Sequence, residues 1–144
     1  MRALLFCVSQ LAIIDLNTKS FSAIAVAEEY NVSTFPTLIP QICISLLAVR
    51  EATEPDQPEG ILRLQLNSQE ILAQPIKLDF QGRIRLRVVN FIQGLVIPVP
   101  GTLTCSLTIG EAVLGSWDIT INQIGAPQSG VFTVPSNPPP TAGH

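Results

Sequence analysis

The sequence predicts an all-β chain, folded as a single antiparallel β-sandwich of about eight strands. Three observations predict it. Apolar and polar side chains alternate with period two, turn residues separate the alternating runs, and no run shows the i, i+3, i+4 spacing of an amphipathic helix. The clearest run is Thr102 to Ile109, where Leu103, Cys105, Leu107 and Ile109 alternate with threonines and a serine. In Ile61 to Leu66, Leu62, Leu64 and Leu66 share a face, with Arg63 and Gln65 opposite. In Trp117 to Asn122, Trp117, Ile119 and Ile121 alternate with Asp118, Thr120 and Asn122. In Arg83 to Val88, Ile84, Leu86 and Val88 point one way and three arginines the other. Successive side chains of a strand point to opposite faces, so each run is expected to be half-buried.

The remaining strands have less contrast. Leu4 to Val8 is apolar on both faces, Ser20 to Val26 is mixed, and Gln41 to Val49 is apolar throughout, as suits a central strand. Glu70 to Gln74 is short, and Pro75 after it predicts an edge or a break. Asp15-Leu16-Asn17-Thr18, Asn67-Ser68, Gln81-Gly82 and Ile109-Gly110-Glu111-Ala112 supply turns, and Pro98-Val99-Pro100-Gly101 a connection. Energetics favour two sheets over one. Burying Leu62, Leu64 and Leu66 contributes roughly 5–9 kcal/mol. Ordering the six residues of that strand costs about 1–2 kcal/mol each in backbone entropy. Its apolar face must therefore meet another, and two sheets face to face provide that surface. A flattened β-barrel is the alternative.

Residues 1–124 are read as the sandwich domain and 125–144 as a flexible tail rich in Pro, Gly and Ser, expected to be extended and disordered. Within the tail, Val131-Phe132-Thr133-Val134 has high β propensity. One reading docks it on a sheet edge, its own or that of a neighbouring subunit or partner, with Phe132 as anchor; the simpler reading is a free tail with Phe132 exposed. Glu51 to Glu59 is an acidic, proline-containing loop.

Composition narrows the function. Charged residues are only 13% of the 144-residue chain and the net charge is −3. That gives no general attraction for nucleic acid. The longest apolar stretch, Ala3 to Ile14, is too short and too interrupted for a transmembrane helix. With Arg2 it has the start of a secretion signal, but Asp15 and Lys19 follow at once without a small-x-small cleavage site. It is read as the first core strand, in a cytoplasmic protein. Secretion, with residues 1–25 as the signal, is the alternative. The three cysteines, Cys7, Cys43 and Cys105, lack CxxC spacing. They read as buried free thiols, which suit a reducing compartment.

The only histidine is the last residue, His144. A catalytic base must be held rigidly, which argues against Ser-His and Cys-His chemistry. No cofactor motif or metal-ligand spacing is present, and no metal, cofactor or catalytic residue is assigned. Glu51, Glu54, Asp56 and Glu59 are the oxygen ligands a calcium site would use; a solvated loop is the favoured reading. Arg83, Arg85 and Arg87 form a ladder whose guanidinium groups, roughly 7 Å apart, suit phosphates or carboxylates. The simpler reading is a solvated face, with Asp118 or Glu70 on neighbouring strands as neutralising partners. Trp117 is expected in the core, and Asn31-Val32-Ser33 is a glycosylation sequon only in a secreted eukaryotic context.

The opening Leu4-Leu5-Phe6-Cys7, then Ser20-Phe21-Ser22-Ala23-Ile24, then Phe35-Pro36-Thr37-Leu38-Ile39-Pro40 running into Gln41-Ile42-Cys43-Ile44, together with the closing strands from Gly101-Thr102-Leu103 to Ile121, carry a resemblance. Over most of residues 3–124 the chain resembles a family of small bacterial all-β proteins defined only as a domain of unknown function. Ser9 and Gln10 stand where that family usually has a charged residue. The resemblance implies a bacterial cytoplasmic all-β domain and no particular activity.

The expectation is thus a non-enzymatic binding or assembly module that meets a protein partner, or itself, through a sheet edge. Arg83, Arg85, Arg87 and Phe132 are the candidate contacts. The alternatives are a carbohydrate- or calcium-binding sandwich and a carboxylate-dependent hydrolase.

Overall fold

The computed structural model describes residues 1–125, which form nine strands and no helix. The Phe132 segment and His144 lie outside the described residues. Among the described residues, no helix is long and apolar enough to cross a membrane.

The strands are β1 (Arg2–Ile14), β2 (Phe21–Val26), β3 (Glu29–Val32), β4 (Thr37–Val49), β5 (Glu59–Leu66), β6 (Gln69–Lys77), β7 (Arg85–Ile97), β8 (Gly101–Ile109) and β9 (Ala112–Gln123). They make a four-stranded sheet, β2-β1-β4-β7, and a five-stranded sheet, β3-β9-β8-β5-β6. The sheets are separate, so the fold is a sandwich and the barrel alternative falls. One strand is an addition to the sequence expectation: β3 pairs with β9, and it pairs parallel, in an otherwise antiparallel molecule.

The core lies between the sheets, where period-two alternation puts it. Leu62, Leu64 and Leu66 pair with Leu107, Cys105 and Leu103, and all six are buried. Val8, Ile42, Ile44, Leu46 and Ala48 face them from the other sheet. Trp117 joins this core and donates from Nε1 to the carbonyl of Ala27 at 2.6 Å. The expected turns are present. Asn67 and Ser68 join β5 to β6 with φ of 50° and 68°, the pair of positive values a two-residue type I′ hairpin requires. β6 is an edge strand, where the missing N–H of Pro75 is tolerated.

The β4–β7 pair turns a corner at Pro40 and Gly94. Arg50 N–H donates to the Ile84 carbonyl at 2.9 Å, which fixes the phase of this ladder. By antiparallel alternation, the even-numbered residues of both strands exchange the hydrogen bonds. Pro40 therefore stands where a donor is needed, and the ladder omits its pairing with Gly94, whose φ is 68°. Before the corner Ile92 is buried; beyond it Leu95 and Ile97 are buried and Leu38 and Val96 are exposed.

The β1–β2 hairpin makes a partial third layer. After Ser9 pairs with Cys43, β1 leaves β4 and continues only with β2. A straight strand would carry Ile14 and its partner Phe21 about 16 Å past Ser9. Instead Phe21 lines a small cavity together with Leu5, Ser45, Leu47 and Arg87. The hairpin has doubled back over the outer face of the four-stranded sheet. Small residues permit the close approach: Ala12 and Ala23 are on the covered side, while Leu11, Ile13 and Ile24 are exposed. Cys43 lies beneath, fully buried, with its thiol 3.9 Å from the Ser45 hydroxyl.

Candidate functional site

The basic residues of β7 form the candidate site, in altered form. The arginine run was expected to be one strand from Arg83 with Ile84 buried. The strand begins at Arg85, and Ile84 is 57% exposed. Arg83 sits in the preceding turn, where its N–H donates to the Phe80 carbonyl and its carbonyl accepts from Arg50 Nε at 3.0 Å. Arg85 and Arg87 are on the outer face of the sheet, across from Val49 and Leu47. Arg85 is exposed, and Arg87 is half-buried because the folded-back hairpin reaches it. The guanidinium of Arg87 donates to the Lys19 carbonyl at 2.7 Å and stands 5.8 Å from the Phe21 ring centroid.

That contact brings in a residue the sequence reading did not assign. Lys19, with φ of 57° in the hairpin turn, joins Arg83, Arg85 and Arg87 with Leu47 and Leu86 around an open cleft of about 320 Å³. These four are half of the chain's eight basic residues. No acid lines the cleft, and none of the four is in a salt bridge among the described residues. The neutralising partners proposed from sequence are elsewhere. Glu70 meets Arg63 at 3.4 Å and Asp118 accepts from Thr104 at 2.7 Å, both in the other sheet. Asp15, in the hairpin turn, is occupied by the Thr18 and Asn17 N–H groups, which hold its carboxyl below the usual range.

The acidic loop is organised around a cation of its own. Arg50 is 8% exposed. It donates to the Glu54 carbonyl at 2.8 Å and to Asp56 at 2.9 Å, and covers the Phe80 ring. Asp56 also accepts from Gly82 N–H at 2.8 Å. Glu54 accepts from the Glu51 N–H and meets the amino group of Met1, which is the larger cause of its lowered pKa. Glu59 lies in β5 beside Lys77 of β6, at a wider open cleft of about 530 Å³. The four acids thus diverge, and among the described residues no three His, Cys, Asp or Glu side chains gather as metal ligands would.

The three cysteines are free and buried. Burial pushes the Cys105 thiol up to about 12. Cys7 and Cys43 lie beneath the hairpin and are also raised by burial.

No known protein-family model matches the chain, and no curated protein matches it.

Proposed function

We propose that this protein is a non-enzymatic binding module that holds the carboxylates of an acidic protein partner in the cleft of Lys19, Arg83, Arg85 and Arg87. The observation that supports this reading is the gathering of half the chain's basic residues around one cleft with no acid in its wall. Like charges about 7 Å apart repel by about 0.6 kcal/mol per pair even in a water-like dielectric. A bound carboxylate replaces that repulsion with attraction, and a planar guanidinium can meet it through two hydrogen bonds. The hairpin holds the Arg87 guanidinium in place, since it is bonded to the backbone of Lys19. Leu47 and Leu86 add apolar wall.

The test is fluorescence anisotropy with a labelled oligo-glutamate at low ionic strength. The native protein should bind it, and the affinity should fall as salt is added. Lys19→Glu combined with Arg85→Glu should abolish binding while leaving the melting curve nearly unchanged. Equal binding by that variant, or no binding by the native protein, contradicts the reading.

A further inference from the structure

Among the described residues, strand β7 is an edge strand, hydrogen-bonded only to β4. The phase set by Arg50 and Ile84 turns the even-numbered N–H and C=O groups of β7 toward β4. The odd-numbered groups, at Arg85, Arg87, Val89, Phe91 and Gln93, therefore point to the open side. Among the described residues no backbone bond reaches them there. The same odd residues put their side chains on the outer face, beside the cationic cleft. One edge thus offers a row of unpaired donors and acceptors, then two arginines, a valine, and a phenylalanine that is 47% exposed.

We infer that β7 takes an extended acidic peptide segment of the partner as a fifth strand of the four-stranded sheet. The added strand runs antiparallel, with apolar residues opposite Phe91 and Val89 and carboxylates opposite Arg87 and Arg85. Read from its N-terminus, the segment has the pattern apolar-x-apolar-x-acid-x-acid. The main chain supplies affinity and the alternate side chains supply selection, as in other strand additions. Charge complementarity favours this occupant over a second copy of the chain. Pairing β7 with another β7 brings no acid across to Arg85 or Arg87, because none of the odd residues from Arg85 to Gln93 is acidic. The inference rests on the acidic-partner reading of the cleft and adds the backbone geometry of the ligand.

The probe is the labelled peptide Val-Thr-Val-Thr-Glu-Thr-Glu, blocked at both ends. In the added strand, the N–H groups of its third and fifth residues face β7, and that of its fourth faces away. N-methylation of the third and fifth should weaken binding about tenfold or more, as loss of two hydrogen bonds requires. N-methylation of the fourth should leave affinity within about twofold. Val89→Pro removes a donor that faces the open edge, so it should weaken the unmodified peptide without removing a ladder bond. If that variant does not fold, the methylated peptides decide alone. Should all methylated peptides bind as well as the parent, the cleft reading stands and strand addition is wrong. Failure of the parent peptide, when oligo-glutamate binds, also overturns strand addition. Failure of both overturns the cleft reading with it. A dimer in sedimentation that dissociates as peptide binds would assign the edge to a second copy and overturn the inference.

Discussion

Arg50 and Arg85 lie near the same end of the β4–β7 pair and have opposite surroundings. Arg50 is buried, and its guanidinium serves three backbone carbonyls and Asp56 over the ring of Phe80. Removing it takes the side-chain donor from those carbonyls, and an unsatisfied buried polar group costs about 1–3 kcal/mol. Arg50→Ala should therefore lower the unfolding free energy by about 2–3 kcal/mol, read from urea denaturation. Arg85 is exposed and has no ion-pair partner among the described residues. Arg85→Ala should change stability by less than about 0.5 kcal/mol. If the two variants melt alike, the structural and the ligand-facing arginines have been misassigned.

Cys105 makes a prediction in pH. Its thiol titrates near about 12 in the folded protein, against 9.0 for an ordinary thiol. Below the unfolded value both states are neutral and stability is unaffected. Between the two values only the unfolded chain ionises, so the folded state loses ground as pH rises. By about pH 10.5 the loss is on the order of 2 kcal/mol. Cys105→Ala should flatten the alkaline slope of the urea midpoint, whatever it does to stability at neutral pH. An unchanged slope would mean that Cys105 is not the buried thiol responsible.

At the scale of elements, the folded-back hairpin is the least expected feature and the one that builds the cleft. It accounts for Ser9, Cys43 and Ser45 being fully buried on the outer face of their sheet. Phe21→Ala should loosen it. Cys43 should then react several-fold faster with a thiol reagent while Cys105 stays protected, as mass mapping of labelled peptides would show. Equal acceleration at both cysteines would indicate general destabilisation instead. The local reason this layer is illegible in sequence is plain. Ala3 to Ile14 reads as one apolar stretch, and nothing in its spacing marks where β1 changes partners. The strands that alternate strictly were legible because one face meets the core and the other meets water, as in β5 and β8. The β3 strand was not, since Glu29-Tyr30-Asn31-Val32 is too short for its alternation to stand out. The arginines of β7 were visible as a ladder. Lys19 was not, because a residue 68 positions from Arg87 in sequence joins the site only through the fold. The proposed neutralising partners failed for the same reason: Glu70 and Asp118 belong to the other sheet.

Over the whole molecule, the sandwich supplies a rigid base and the charge distribution supplies direction. The chain is acidic overall, at −3, yet half its basic residues share one corner. An acidic partner would be repelled weakly by the molecule at large and drawn to that corner at short range, within about a Debye length of 8–10 Å. The polar face of the five-stranded sheet differs in kind. There Thr104 is bonded to Asp118, Arg63 to Thr108 and Glu70, and Lys77 stands across from Glu59, so acids are interspersed with its cations. The acidic ligand should therefore leave that face untouched. The most direct measurement is an amide chemical-shift map of the isotope-labelled protein titrated with oligo-glutamate. The account predicts shifts concentrated at residues 18–21 and 83–91, growing together and reversed by salt. Shifts confined to the five-stranded sheet, or none at all at low ionic strength, would contradict it.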